Sequence, residues 1–349
     1  MKQFSLILLF PILIFSACTD SKEDDCYVID LEKSIPSIYY SQFADSVSYV
    51  TLDTKDTCIM SGIDRIYQVD DRFFVKDNQR AGVLLFDRKG YFLKQLNYYG
   101  NGAHEFTRIH SFSVDREAQQ ICIYDGNMGK ILKYNYEGIY SGSVKVANIV
   151  RDFAVLGSND YLFIMPSYRR EMPYGVWRTD SLNRITKELL SHVPKDYEFE
   201  FLFTQYNHLS DRICYYDRNW DVLYEVDCDT AIVLSRFNLK QAFSAELKRK
   251  SEPSFQELQG HAMMANFSVS PIYRLFTYYT FGEHSFKWVL FTQGSQTPLV
   301  SDRLVNDIDS VQSSQESVFY LNDSTWCRML DPSESDCNIT LQLLHIKKR

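Results

Sequence analysis

Between Phe73 and Tyr140 the chain writes one alternation of apolar and polar positions twice. Phe73–Asp77 and Val83–Phe92 form the first copy; Ile121–Asp125 and Ile131–Tyr140 form the second. Asp77 precedes Asp125 by 48 residues, and Gly90 precedes Gly138 by the same interval. Short alternating runs with a fixed period in the 40–50 residue range predict the blade of a β-propeller. The Asp87-x-x-Gly90 and Asn135-x-x-Gly138 turns continue, degenerately, as Asp180-x-x-Asn183 and Asp227-x-x-Thr230. Asp217 stands ten residues before Asp227, as Asp77 does before Asp87.

The expected fold class is all-β, a six-bladed β-propeller of four-stranded antiparallel blades whose ring is closed by the N-terminal strand. Blade one spans 63–97, blade two 109–146, blade three 149–190 and blade four 201–239. Strands at 266–269, 273–279 and 286–291 belong to blade five. Blade six takes 305–311, 317–321 and 341–346, with Val47–Leu52 as its fourth strand and 323–338 as a long loop. That closing strand leaves no long sheet edge exposed. Phe243, Leu247, Phe255 and Leu258 fall at helical spacings, so 241–260 reads as a short helical insertion. The propeller domain is set at 45–349.

Composition changes little in this picture. Apolar residues make up 45% and aromatics 15%, enough for a core, and the 24 Tyr and 24 Phe suit strands. A net charge of -8 supplies no basic footprint and argues against nucleic-acid binding.

The N-terminus changes it more. Residues 1–17 combine Lys2 with an apolar run too short to span a bilayer, the pattern of a signal peptide. Phe15-Ser16-Ala17-Cys18 resembles the lipobox of bacterial lipoproteins, which implies acylation of Cys18. The polar segment 18–44 then serves as tether and lead-in. Thr19 after the cysteine is similar to lipoproteins sent to the outer membrane, and Lys22-Glu23-Asp24-Asp25 resembles an acidic surface-export tag. The expected location is therefore the outer membrane, exposed at the cell surface, with the periplasmic face as the alternative. Seven further cysteines lack a CxxC pair, which argues against a zinc site. Cys122 and Cys214 read as small buried hydrophobes, and Cys327 with Cys337 as the most plausible bridge.

The loop Gly100-Asn101-Gly102-Ala103-His104-Glu105-Phe106, with the preceding Phe86–Leu93, resembles the six-bladed β-propeller lipoprotein family, the NHL- and TolB-like propellers of Gram-negative envelopes. Ala103 and His104 replace the Pro and Gly of that family's loop. The resemblance implies a fold and an envelope location, and a structural role for Glu105 as acceptor of backbone N–H groups.

Candidate chemistry is sought at the ring's mouth, where the loops between strands two and three and between blades converge. Arg80, Tyr99, His104 and Glu105 map there, with Asp77, Asn78, Asp125 and Asn127. Tyr168, Arg169, Arg170 and Glu171 follow from blade three. Arg218, Asn219 and Trp220 come from blade four, and Glu283 and His284 from blade five. Aromatics mixed with arginines suit a polar or anionic ligand such as a glycan or short peptide; a solvated rim explains the same charges. His104-Glu105 lacks the second histidine of a zincin, and there is no Gly-x-Ser-x-Gly elbow. The reading is a binding module for a polar ligand or protein partner, with no cofactor required. The alternative is a metal-dependent hydrolase or lyase, lactonase- or esterase-like. Calcium held by carboxylates from several blades would leave no local motif.

Overall fold

The computed structural model describes residues 25–53, 60, 62–77, 82–146, 150–157, 160–165, 175–180, 184–190, 196–199, 206–209, 211–283, 285–330 and 338–348. Six antiparallel sheets form the ring, each ordered from an inner to an outer strand. Blade one is Ile63–Val69, Arg72–Asp77, Val83–Asp87 and Phe92–Leu96. Blade two is Ser111–Asp115, Gln120–Asp125, Lys130–Asn135 and Tyr140–Lys145, and blade three is Asp152–Val155, Tyr161–Met165, Gly175–Thr179 and Ile185–Leu190. Blade four is Tyr206–Leu209, Arg212–Asp217, Val222–Val226 and Ala231–Leu239. Blade five is Ala262–Val269, Tyr273–Thr280, Ser285–Thr292 and Leu299–Ser301.

The repeated Asp/Asn turn has one cause throughout. Its side-chain oxygen accepts backbone N–H bonds across the turn: Asp87 from Lys89 and Tyr91, Asn135 from Ile139, Asp180 from Arg184, Asp227 from Asp229 and Thr230. Such Asx turns hold the hairpin without tertiary help. Gly90, at φ +90°, completes the first, and a Cβ there would meet the Thr51 carbonyl oxygen at 2.0 Å. Blade one's turn is thereby fitted against the strand that closes blade six.

Blade six differs from the expectation. Its strands are Phe319–Asn322, Thr325–Leu330 and Thr340–Ile346, with Ala44–Thr51 outermost. Thr325–Leu330 lies inside the segment expected to be a loop, and of 305–311 only Val305 is extended, in the two-residue strand Leu304–Val305 that pairs outside the blade with Ile38–Tyr39. Arg328 explains the misreading: a charge in the middle of the run Trp326–Leu330 imitates a solvated loop. Its side chain is instead buried, donating to the Tyr40 hydroxyl at 2.8 Å and to the Gln315 carbonyl oxygen, with its guanidinium 5.2 Å from the Trp288 ring. Of the expected Cys327–Cys337 bridge, Cys337 lies outside the described residues, and Cys327 is buried inside that strand. Cys122 and Cys214 are buried, and burial pushes each thiol up to about 12.

The lead-in is a strap along the outer rim. Asp25–Ile29 pairs parallel with Ala231–Leu239 and adds a fifth strand to blade four. The Ile35 N–H then donates to the Val300 carbonyl oxygen of blade five at 2.8 Å. Tyr40 and Phe43, both 0% exposed, enter the core between blades five and six beside Trp288 and Trp326. The 241–260 insertion holds two short helices, Ala245–Lys248 and Phe255–Leu258, capped by Ser244 and Ser254.

Candidate functional site at the propeller mouth

Across the axis, the inner strands of four blades are joined by one polar network. Arg65 of blade one donates through Nη1 and Nη2 to both carboxylate oxygens of Asp152 on blade three, at 2.9 and 2.5 Å. Nη1 also lies within bonding distance of the Ser111 hydroxyl of blade two and the Tyr206 hydroxyl of blade four, at 3.1 and 3.0 Å. Ser111 donates to Asp152, and Tyr206 donates to the Phe153 carbonyl oxygen at 2.7 Å. The Arg65 guanidinium lies over the Tyr206 ring at 4.9 Å. Burial opposes the Arg65 charge, but Asp152 together with the Tyr206 and Tyr67 hydroxyls outweighs it and holds the Arg65 pKa well above the ordinary value. Beside it, His208 donates from Nε2 to the Val155 carbonyl oxygen at 2.7 Å, with its ring edge-on to Tyr67. Burial lowers the His208 pKa to about 4, so the ring is neutral. The network fastens four blades to one another, and its donors and acceptors are engaged in doing so.

The mouth carboxylates are engaged as well. Asp125, 0% exposed, accepts from the Thr107 N–H at 2.5 Å, the Thr107 hydroxyl at 2.9 Å, and the Asn127 and Met128 N–H groups at 2.9 and 3.1 Å. It thereby ties the loop between blades one and two to the turn between strands two and three of blade two. Burial alone would raise its pKa, but these hydrogen bonds outweigh it and leave the carboxylate below its ordinary range. Asp77 and Asp217 occupy the equivalent strand ends and are buried too, and Asp217 accepts from the Asn219 N–H at 2.9 Å. Glu105 accepts from the Gly102 N–H at 2.9 Å, the structural role the family resemblance implies. A Cβ on Gly100 would fall 1.9 Å from the same carboxylate, so the loop closes around Glu105 only with glycine there.

Two aromatic side chains of the candidate set remain open to solvent. Tyr99 is 39% exposed and packs edge-on against Phe106 at 4.8 Å. Trp220 is 42% exposed at the tip of the Asp217–Asp221 turn of blade four. That turn is fixed from below: buried Arg218 donates from Nε to the Met264 carbonyl oxygen at 2.9 Å, and buried Lys248, from the first insertion helix, donates to the Asn219 carbonyl oxygen at 2.5 Å. Asp221 holds φ +52° and accepts from the Tyr216 hydroxyl at 2.9 Å. Burial raises its pKa to about 6. Tyr197 packs beside Trp220 at 6.2 Å, with the Arg249 guanidinium over its ring. An indole held outward by buried charges is a preorganised contact.

Tyr99, His104 and Glu105 therefore share one loop, and Asn219 and Trp220 share a turn on another part of the ring. His104 is exposed, and its carbonyl oxygen accepts from the Tyr134 hydroxyl at 2.8 Å. Arg80, Tyr168, Arg169, Arg170 and His284 lie outside the described residues, as does Cys18. Among the described residues, there is no group of three or more His, Cys, Asp and Glu that could hold a metal ion. The axial set of Arg65, Ser111, Asp152, Tyr206 and His208 went unnoticed in the sequence. Its signal was a polar or charged residue near the start of successive inner strands.

A family described as a domain of unknown function, DUF4934, matches residues 26–338. No match emerges among curated proteins. Among solved structures, an exported protein of Bacteroides fragilis superposes with a TM-score of 0.72 at 16% identity, covering 93% of this chain and 99% of that one. A DUF4221 family member from Bacteroides vulgatus superposes with a TM-score of 0.57 at 11% identity, covering 88% and 98%. At these identities the likeness is one of fold.

Proposed function

This chain belongs to the DUF4934 family, and on that premise we propose that it is an envelope-anchored β-propeller that binds a polar ligand, a glycan or peptide, at its mouth. The observation that carries this reading is the division of labour among the mouth residues. Asp125, Asp217 and Glu105 are committed to backbone N–H groups, whereas the rings of Tyr99 and Trp220 stand half-exposed on braced loops. Large rigid aromatics with neighbouring hydrogen-bonding groups are efficient binding contacts. The lipobox-like Phe15–Cys18 supports a lipid anchor at Cys18, and the acidic run after it supports display on the outer membrane's surface. The test is a glycan and peptide array probed with the wild-type protein and with Tyr99→Ala and Trp220→Ala. Binding that weakens at least about tenfold in either variant, the loss of one aromatic hot spot, supports the reading. Ligands bound equally by all three proteins would refute it.

A further inference from the structure

The rim strap fixes where an anchor at Cys18 would pull on the ring. Asp25, the first residue of the edge strand, lies seven residues after Cys18. At about 3.4 Å per residue, that chain reaches about 24 Å when fully extended. The strand is in register with the outer strand of blade four, from Asp25 opposite Ser235 to Ile29 opposite Leu239. It is locked beyond its end, where the Lys240 N–H donates to the Ile29 carbonyl oxygen at 3.0 Å and Lys240 Nζ meets Asp30 at 2.7 Å. Tension at the N-terminus therefore arrives at the outer edge of blade four and at neither axial end of the ring. That edge presents Val28, 54% exposed, and Ile232, 55% exposed, with Arg236 and Cys26 also exposed.

We infer that the outer edge of blade four is the side of the propeller that meets the lipid bilayer, with blade one farthest from it. The inference rests on the lipid-anchor reading of Cys18. Four strands about 4.8 Å apart place the outer strand of a blade about 14 Å from its inner strand. The outer strands of blades four and one, three blades apart in a ring of six, are then separated by at least about 28 Å. Exposed aliphatic side chains within reach of the tether, beside an arginine that suits lipid phosphates, match a membrane-facing edge. An edge-on tether also leaves the mouth open to solvent, as ligand capture requires.

The test uses the full-length lipoprotein, purified from membranes and reconstituted into phosphatidylethanolamine–phosphatidylglycerol vesicles carrying nitroxide-labelled headgroups. A fluorophore is attached through a keto amino acid introduced at Ile232, or at Tyr91, an exposed residue immediately before the outer strand of blade one. Quenching several-fold stronger at Ile232 than at Tyr91 is expected. Inserting about 30 Gly/Ser residues between Cys18 and Asp25, whose flexible span averages about 30 Å, should reduce that ratio towards one. Equal or reversed quenching in a protein that floats with the vesicles would overturn the inference while leaving the lipid anchor intact. A full-length protein that fails to float, with a Cys18 peptide carrying no acyl mass, would overturn both.

Discussion

Asp152→Ala would remove the carboxylate that pairs with Arg65 in the axial lock and leave that guanidinium without this counter-charge. The carboxylate accepts from both Nη atoms of Arg65, from the Ser111 hydroxyl, and from the Phe153 N–H at 2.8 Å. Removing one member of a buried pair costs about 3–5 kcal/mol, because the surviving charge keeps its desolvation penalty. Asp152 is 4% exposed at its side chain but Arg65 is 24% exposed, so water can partly solvate the orphaned guanidinium. The low end of that range, about 3 kcal/mol, is expected. Urea unfolding followed by the buried Trp177, Trp288 and Trp326 would report it. With a slope of about 3 kcal/mol/M, the midpoint falls by about 1 M. The double variant Arg65→Leu/Asp152→Leu removes both charges and should recover most of the loss, because apolar replacement of a buried pair is often neutral. A midpoint unchanged in Asp152→Ala, or a double variant worse than the single, would refute the account of the network as a charge-paired lock.

Three further outcomes follow from the same chemistry. Asp125→Ala should cost about 2 kcal/mol at neutral pH by stranding the N–H groups of Thr107, Asn127 and Met128. Because the folded Asp125 pKa is lowered from 3.8, that contribution is present above pH 3.8 and fades as pH falls through the folded value, so thermal unfolding curves of variant and wild type converge in acid. His208 has a folded pKa of about 4 against an ordinary 6.5. The unfolded chain therefore takes up a proton first, and up to about 3 kcal/mol is lost as pH falls from 6.5 to 4; His208→Phe should flatten that part of the stability–pH profile. Asp221 has the opposite sign, since a folded pKa near 6 makes its carboxylate a liability as pH rises from 3.8 through 6. Asn keeps an acceptor for Tyr216 and tolerates φ +52°, so Asp221→Asn should stabilise the protein by about 1 kcal/mol at neutral pH, with the gain vanishing near pH 4 in urea titrations.

The blades were legible where their cause is local. Asp87, Asn135, Asp180 and Asp227 each organise a turn with their own neighbours, so the period survives in the sequence. The second strand of blade six was hidden because Arg328 owes its burial to Tyr40, Gln315 and Trp288, all distant in sequence. The strap strand at Asp25–Ile29 was missed for a related reason. It is five residues long, follows an acidic run, and pairs with blade four more than 200 residues later. At the mouth, the recurrent Asp77, Asp125 and Asp217 were visible, but their burial was not. The axial network was the least legible part, since Arg65, Ser111, Asp152 and Tyr206 come from four inner strands and share no local spacing. Topology alone assembles them.

The central claim, that the braced loops at the mouth bind ligand, is tested most directly by hydrogen exchange with and without a ligand captured on the array. Protection concentrated in 97–106 and 217–221, with the ligand recovered chemically unchanged, is the predicted result. Protection confined to the outer strands, or a ligand recovered as a cleaved product, would contradict it.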